Sequence, residues 1–190
     1  MMKLSSVFKT AKLPTTIALL ALAAGCSSNL IKSEDSTSTQ RQAITINQVS
    51  AQGIQQAIGT VYLSDSAQGL KIDTQLAQIP AGVHGFHIHE FGSCAAAEKD
   101  GKMIAAQAAG GHFNPLKVAH GDEKTGHLGD LPPLNVDANG QSNTTVYAPR
   151  LKLADVQGLA LMVHAGGDNH SDHPEPLGGG GARIACGVIN

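Results

Sequence analysis

The chain has 190 residues and a mass of 19.5 kDa, which allows one domain with extensions. Its 22 glycines and 8 prolines imply many turns, and with 3% aromatics and no Trp the core falls to Val, Ile, Leu and Ala. The formal charge is -2, and setting aside Lys3, Lys9 and Lys12 leaves ten basic against fifteen acidic side chains, a balance of -5 that argues against a general attraction for nucleic acid or anionic lipid.

At the start of the chain, Lys3, Lys9 and Lys12 precede an apolar stretch over 17–24, the layout of a secretory signal spanning 1–25. A membrane span would need about 20 apolar residues. The segment Leu22-Ala23-Ala24-Gly25-Cys26 resembles a bacterial lipobox, in which Cys26 becomes the lipidated first residue. Ordinary cleavage near Ala23 or Ala24, with Cys26 left as a free thiol, is the plainer alternative. Residues 26–42 lack apolar periodicity and read as a solvated tether, so the mature domain of 43–190 is expected in a bacterial periplasm, touching a membrane only through a lipid at Cys26.

From Ala43 onward the pattern is that of strands. Segments 43–49, 58–63, 70–76, 83–89, 142–148, 159–164 and 183–189 are rich in β-branched and aliphatic residues, broken by turn signals at Gln52-Gly53, 65–69 and Pro80-Ala81-Gly82. Short strands and long loops predict an all-β fold: an antiparallel Greek-key sandwich or barrel of about eight strands, with two long loops over 91–134 and 165–182.

The first loop and the strand before it hold most of the histidine. His87 and His89 are two apart in an alternating segment, so on an extended strand both rings point to one face. The pattern His112-x7-His120-x6-His127-x2-Asp130 supplies three imidazoles and a carboxylate from a Gly- and Pro-rich loop, a donor set that suits a closed tetrahedral zinc site. His164 ends the apolar run Leu161-Met162-Val163, which reads as a buried strand able to bring it to the His87/His89 pair. Four imidazoles match copper(II) in a tetragonal plane, but His87, His89 and His164 supply only three. If His112 ligates through both ring nitrogens, it completes the copper set and the zinc set together. The alternative is that each histidine is structural on its own account, and seven candidate ligands at such spacing argue against it. His84, on the other strand face, is assigned structural hydrogen bonding, and His170 and His173 read as surface residues.

Gly85-Phe86-His87-Ile88-His89-Glu90, Gly111-His112-Phe113-Asn114-Pro115, His127-Leu128-Gly129-Asp130 and the run from Gly181 to Ile189 resemble, in order, the signatures of the copper/zinc superoxide dismutases. The likeness covers roughly 43–190, and the short step from His89 to Cys94 is similar to the bacterial periplasmic branch. It implies dismutation of superoxide to dioxygen and hydrogen peroxide by copper cycling between Cu(II) and Cu(I), with zinc ordering the loop. It also implies that an Asp of the second loop bridges a copper histidine and a zinc histidine: Asp168, or Asp172 as a substitute. Arg183, a planar cation beside the open copper position, would attract the anion, its alternative role being a surface salt bridge. Lys99 and Lys102, in a mixed charge cluster with Glu98 and Asp100, are candidates for steering.

Cys94 and Cys186 can pair in an oxidising compartment, which leaves Cys26 for the lipid; two buried free thiols are the alternative. A different class shares the same histidines: a periplasmic copper or zinc binding protein without turnover. The oligomeric state is left open between monomer and homodimer.

Overall fold

The computed structural model describes residues 40–190, so the expected signal, Cys26 and most of the expected tether lie outside the described residues. Within that span the strands are β1 (Arg41–Ser50), β2 (Gly53–Ser66), β3 (Gly69–Leu76), β4 (Gly82–His84), β5 (Phe86–His89), β6 (Ala97–Lys99), β7 (Lys102–Ile104), β8 (Leu134–Val136), β9 (Thr145–Ala148), β10 (Ala160–His164) and β11 (Arg183–Val188). Seven of them form one antiparallel sheet in the order β5-β10-β11-β1-β2-β3-β9, curled into a half-barrel. β4 pairs with β8, and β6 with β7.

The curl follows from alternation. Ile44 and Ile46 of β1, Val61 and Leu63 of β2, and Leu70, Ile72 and Leu76 of β3 all point inward, each nearly or fully buried. Phe86, Ile88, Leu161 and Val163 from the other flank join the same cluster. Each such side chain contributes about 1.5–3 kcal/mol on leaving water, and the intervening polar residues keep the outer face wet.

Two expected strands are shorter than the alternation suggests. Segment 83–89 breaks at Gly85, because the Gly85 N–H donates to Gly166 O and its carbonyl accepts from His164 N–H, both outside any ladder. β4 and β5 thereby enter different sheets. Segment 142–148 forms a strand only from Thr145, since the Thr74 hydroxyl inserts beside it and accepts the Thr144 N–H at 3.0 Å. β8 and the β6–β7 hairpin, all three residues long, were too short for periodicity to reveal.

The two long loops leave from the ends of β5 and β10, neighbours in the sheet. Cys94 of the first is bonded to Cys186 of β11, 92 residues later, with Cα atoms 5.7 Å apart. In the chain-entropy model such a closure is worth about 4–5 kcal/mol. Around it Val49, Ala106, Ala109, Ala160 and Met162 form a second small core, which fixes the first loop against the sheet.

Candidate metal centre

Every residue of β5 is buried, and so is every residue of β10, so His87, His89 and His164 are carried by backbone with no freedom to swing out. The free edge of β5 is lined by the first loop: His87 faces Asp130 and His89 faces His112 across isolated bridges. Two four-membered donor sets result, beside a smaller group of His87, His120 and Asp168. His87, His89, His112 and His164 offer four nitrogens, and His112, His120, His127 and Asp130 offer three nitrogens and an oxygen, the donor atoms within each set lying within 4.8 Å of one another.

Hydrogen bonds decide which nitrogen each ring presents. The Asp168 carboxylate accepts from His87 Nε2 at 2.7 Å and from His120 Nε2 at 2.8 Å. A carboxylate only accepts, so both rings carry their proton on Nε2 and turn Nδ1 toward the metal sets. His89 Nδ1 donates to Gly110 O at 3.0 Å and His164 Nδ1 to Gly181 O at 3.3 Å. Their Nε2 atoms are left facing each other 3.4 Å apart, two lone pairs with no hydrogen between them.

His112 stands between the sets. Its Nδ1 lies 2.9 Å from Asp130 Oδ1, while its Nε2 is buried without a partner. His87 Nδ1, His120 Nδ1 and His127 Nδ1 are likewise buried and unpaired. Asp130 oxygens lie 3.0 Å from His120 Nδ1 and 3.2 Å from His127 Nδ1, close but without the alignment of a hydrogen bond. Unpaired ring nitrogens are costly in a dry interior; gathered in two donor sets, they fit two cations.

Burial also tunes basicity. Desolvation pushes His112 down to about 4, against its Asp130 hydrogen bond, and His164 down to about 3, helped by neighbouring imidazoles. His87 and His89 are lowered for the same first reason. These rings are therefore neutral at pH 7, the form that ligates. His120 moves the other way, up to about 9: burial opposes the charge, but the Asp130 and Asp168 carboxylates beside its two ring nitrogens outweigh it. Both carboxylates pay for desolvation yet are held well below the usual carboxylate range by their histidine partners.

Above the four-nitrogen set opens a cavity of about 590 Å³, whose wall includes His89, His112, His164, Arg183 and Lys99. Arg183 Nη1 and Nη2 donate to Ala106 O and Gly110 O, each at 2.6 Å. The Gly110 carbonyl thus serves both Arg183 and His89.

A family model for copper/zinc superoxide dismutase matches residues 57–189. The chain belongs to the copper/zinc superoxide dismutase family. Superoxide dismutase [Cu-Zn] 2 of Salmonella typhimurium is 54% identical over 151 residues, 78% of this chain and 87% of that protein. The solved copper/zinc superoxide dismutase from Brucella abortus superposes with a TM-score of 0.78 at 47% identity, covering 80% of this chain and all of that one. The monomeric copper, zinc superoxide dismutase from Salmonella enterica gives 0.72 at 52% identity, with 80% of this chain and 100% of that chain covered. As a member of this family the chain is an enzyme of copper and zinc that dismutes superoxide, and the reading as a metal-binding protein without turnover is not favoured.

The other expected residues fall as follows. Asp168, not Asp172, receives the two imidazole N–H groups; Asp172 instead accepts the backbone N–H of His120 and of Leu177, both at 3.1 Å. His84 is buried, with ring nitrogens 2.8 Å from His164 O and 2.7 Å from Pro80 O. His170 and His173 are exposed and outside both sets. Lys99 and Lys102 sit opposite each other in the β6–β7 hairpin, and of the two Lys99 lines the cavity. Sequence reading missed Arg150, whose guanidinium donates to Glu123 O at 3.0 Å, Gly126 O at 2.8 Å and His127 O at 2.7 Å. At 23 residues from His127 no spacing rule could have flagged it; an arginine directly after the turn-forming Pro149 was the sole hint.

Proposed function

We propose that His87, His89, His112 and His164 hold the copper, that His112, His120, His127 and Asp130 hold the zinc, and that the superoxide anion reaches the copper through the cavity beside Arg183. The observation that carries this is the His112 ring, with Nδ1 on the Asp130 side and Nε2 buried and unpaired toward the other three imidazoles. Copper supplies one-electron redox chemistry between Cu(II) and Cu(I), and zinc, with a full d shell, supplies structure. The balance is two superoxide anions plus two protons giving one dioxygen and one hydrogen peroxide.

The chain's own residues do the rest. Asp168 orients His87 and His120 by fixing the proton of each on Nε2. Arg183 spends two N–H groups on the Ala106 and Gly110 carbonyls, which aim the fork, and keeps the others for the anion. Lys99 adds a positive charge at the mouth, and Lys102, further out, adds to the same field. When not held by copper, His112 Nε2 would be free to take up one proton from solvent in the cavity and pass it to the peroxide product, the second proton also coming from solvent.

The leader supports export: residues 1–25 as signal, Cys26 as lipid attachment, 26–42 as tether, and 43–190 as a periplasmic enzyme domain. The use of Cys94 and Cys186 in a disulfide agrees with an oxidising compartment and leaves Cys26 for the lipid. The N-terminal mass of protein isolated from membranes tests this: a diacylglyceryl-modified Cys26 is expected, and an unmodified one overturns the anchor.

Stripped protein reloaded with both metals tests the site. One copper and one zinc per chain with superoxide turnover are expected, and His112→Ala should disturb both metals at once. Loss of copper alone, with zinc affinity untouched, would refute the shared ring. Arg183→Ala is expected to keep both metals and lose about tenfold or more in kcat/KM.

A further inference from the structure

The loop between β10 and β11 touches both halves of the centre, and one carboxylate within it does so twice. Asp172 Oδ2 accepts the backbone N–H of His120, a member of the zinc set, and Asp172 Oδ1 accepts the backbone N–H of Leu177, which lines the cavity above the copper set. Leu177 is not at rest in its place: φ is 54° and ψ 45°, the left-handed region, which a side-chain-bearing residue rarely adopts. Strain of this kind persists only where neighbours over-determine it. Here the Asp172 bond holds Leu177 itself, while Gly178 N–H donates to Ser171 O at 3.0 Å and Gly178 O accepts from Asn169 N–H at 3.1 Å.

His120 is gripped at two points by this loop: its ring by Asp168 and its backbone by Asp172. A cation on His120 Nδ1 therefore pulls on a segment whose far end is the cavity wall. We propose that Asp172 is a positioning residue that keeps Leu177 in register with His120, so that the shape of the passage to copper depends on whether zinc is bound. The inference rests on the ligand assignment given above and adds to it the route by which the zinc half acts on substrate access. Asp172 belongs to neither donor set and meets the zinc set only through the backbone N–H of His120. Its part is mechanical.

The test uses the mature domain loaded with copper and either loaded with zinc or left without it. Azide, a linear anion of one charge, reports access to copper through its charge-transfer absorption. In the parent protein, removing zinc is expected to change azide affinity. In Asp172→Ala that change should vanish: the variant with both metals should already resemble the zinc-free parent, with azide affinity displaced about three- to tenfold, the scale of one hydrogen bond. Zinc release to a chromogenic chelator should quicken by a similar factor. Asp172→Asn, which keeps one acceptor oxygen, should fall between, and it serves if the alanine variant folds poorly by circular dichroism. An azide affinity within twofold of the parent in both variants, or an undiminished response to zinc removal, overturns the proposal. A parent that fails to bind one copper and one zinc indicts the ligand assignment instead, so the two failures are told apart. Altered copper electron paramagnetic parameters in Asp172→Ala with both metals bound would also count against it, because the residue acts on the passage and not on the copper ligands.

Discussion

Gly178 illustrates how little room the site leaves at single residues. A Cβ at this position would lie 2.2 Å from Asp168 Oδ1 and 2.7 Å from His120 Nε2, and its φ of +77° already disfavours any side chain. The glycine therefore exists to let the Asp168 carboxylate sit between His87 and His120. Gly178→Ala is expected to displace that carboxylate and free both rings to adopt the wrong tautomer. Loss of an outer partner of a ligating histidine typically costs about 10- to 100-fold in metal affinity. Competition titration with a copper chelator should show a loss on that scale, and unchanged affinity would mean that the bridge does not orient His87. Gly126 is similar on the zinc side, its absent Cβ making way for Asp130 Oδ2 at 2.4 Å.

At the scale of elements, the first loop is held by two clamps of different kind. The disulfide and its small apolar cluster fix the end that carries Ala106 and Gly110, whose carbonyls aim Arg183. Arg150 fixes the other end, through three carbonyls of the turn that delivers His127. Hydrogen bonds to a charged donor are worth about 1.5–3 kcal/mol each when buried and less at a half-buried site such as this. Arg150→Ala should therefore release zinc to a chelator at least tenfold faster while leaving the copper absorption band in place; equal loss of both metals would point to general unfolding. The β6–β7 hairpin supports a separate expectation. Lys99 lines the cavity and Lys102 does not, so Lys99→Ala should flatten the dependence of kcat/KM on ionic strength, and Lys102→Ala should do so less. Equal effects from both lysines would mean that the field is set by net charge alone.

For the whole molecule, the chemistry was easier to read in the sequence than the architecture. Histidines spaced to share a strand face or a loop declare themselves because a metal needs several donors at once, so His87, His89, His112, His120, His127, Asp130 and His164 all appear in the two sets. What holds the donors was hidden, because Arg150, Gly178 and the backbone contacts of Asp172 act across gaps that only folding closes. Strand bounds were hidden for a related reason: the break at Gly85 depends on bonds to Gly166 and His164, far along the chain. The same long-range packing gives the stripped protein an unusual pH response. His112 and His164 have folded values of about 4 and about 3, below the ordinary 6.5, so their contribution to stability is full above pH 6.5 and is lost as the pH falls toward those values. His120, raised to about 9, contributes fully below pH 6.5 and loses its contribution as the pH rises through 9. Metal-free protein is thus expected to melt highest near pH 6.5 and lower on either side. If zinc binds His120 as proposed, it takes the place of that proton, and the loaded protein should lose the alkaline decline and keep the acid one, where protons compete with metal for the ligands. Calorimetry of stripped and loaded samples between pH 5 and 9.5 checks this, and an alkaline limb equally flat in both would show that His120 does not carry the charge that zinc replaces.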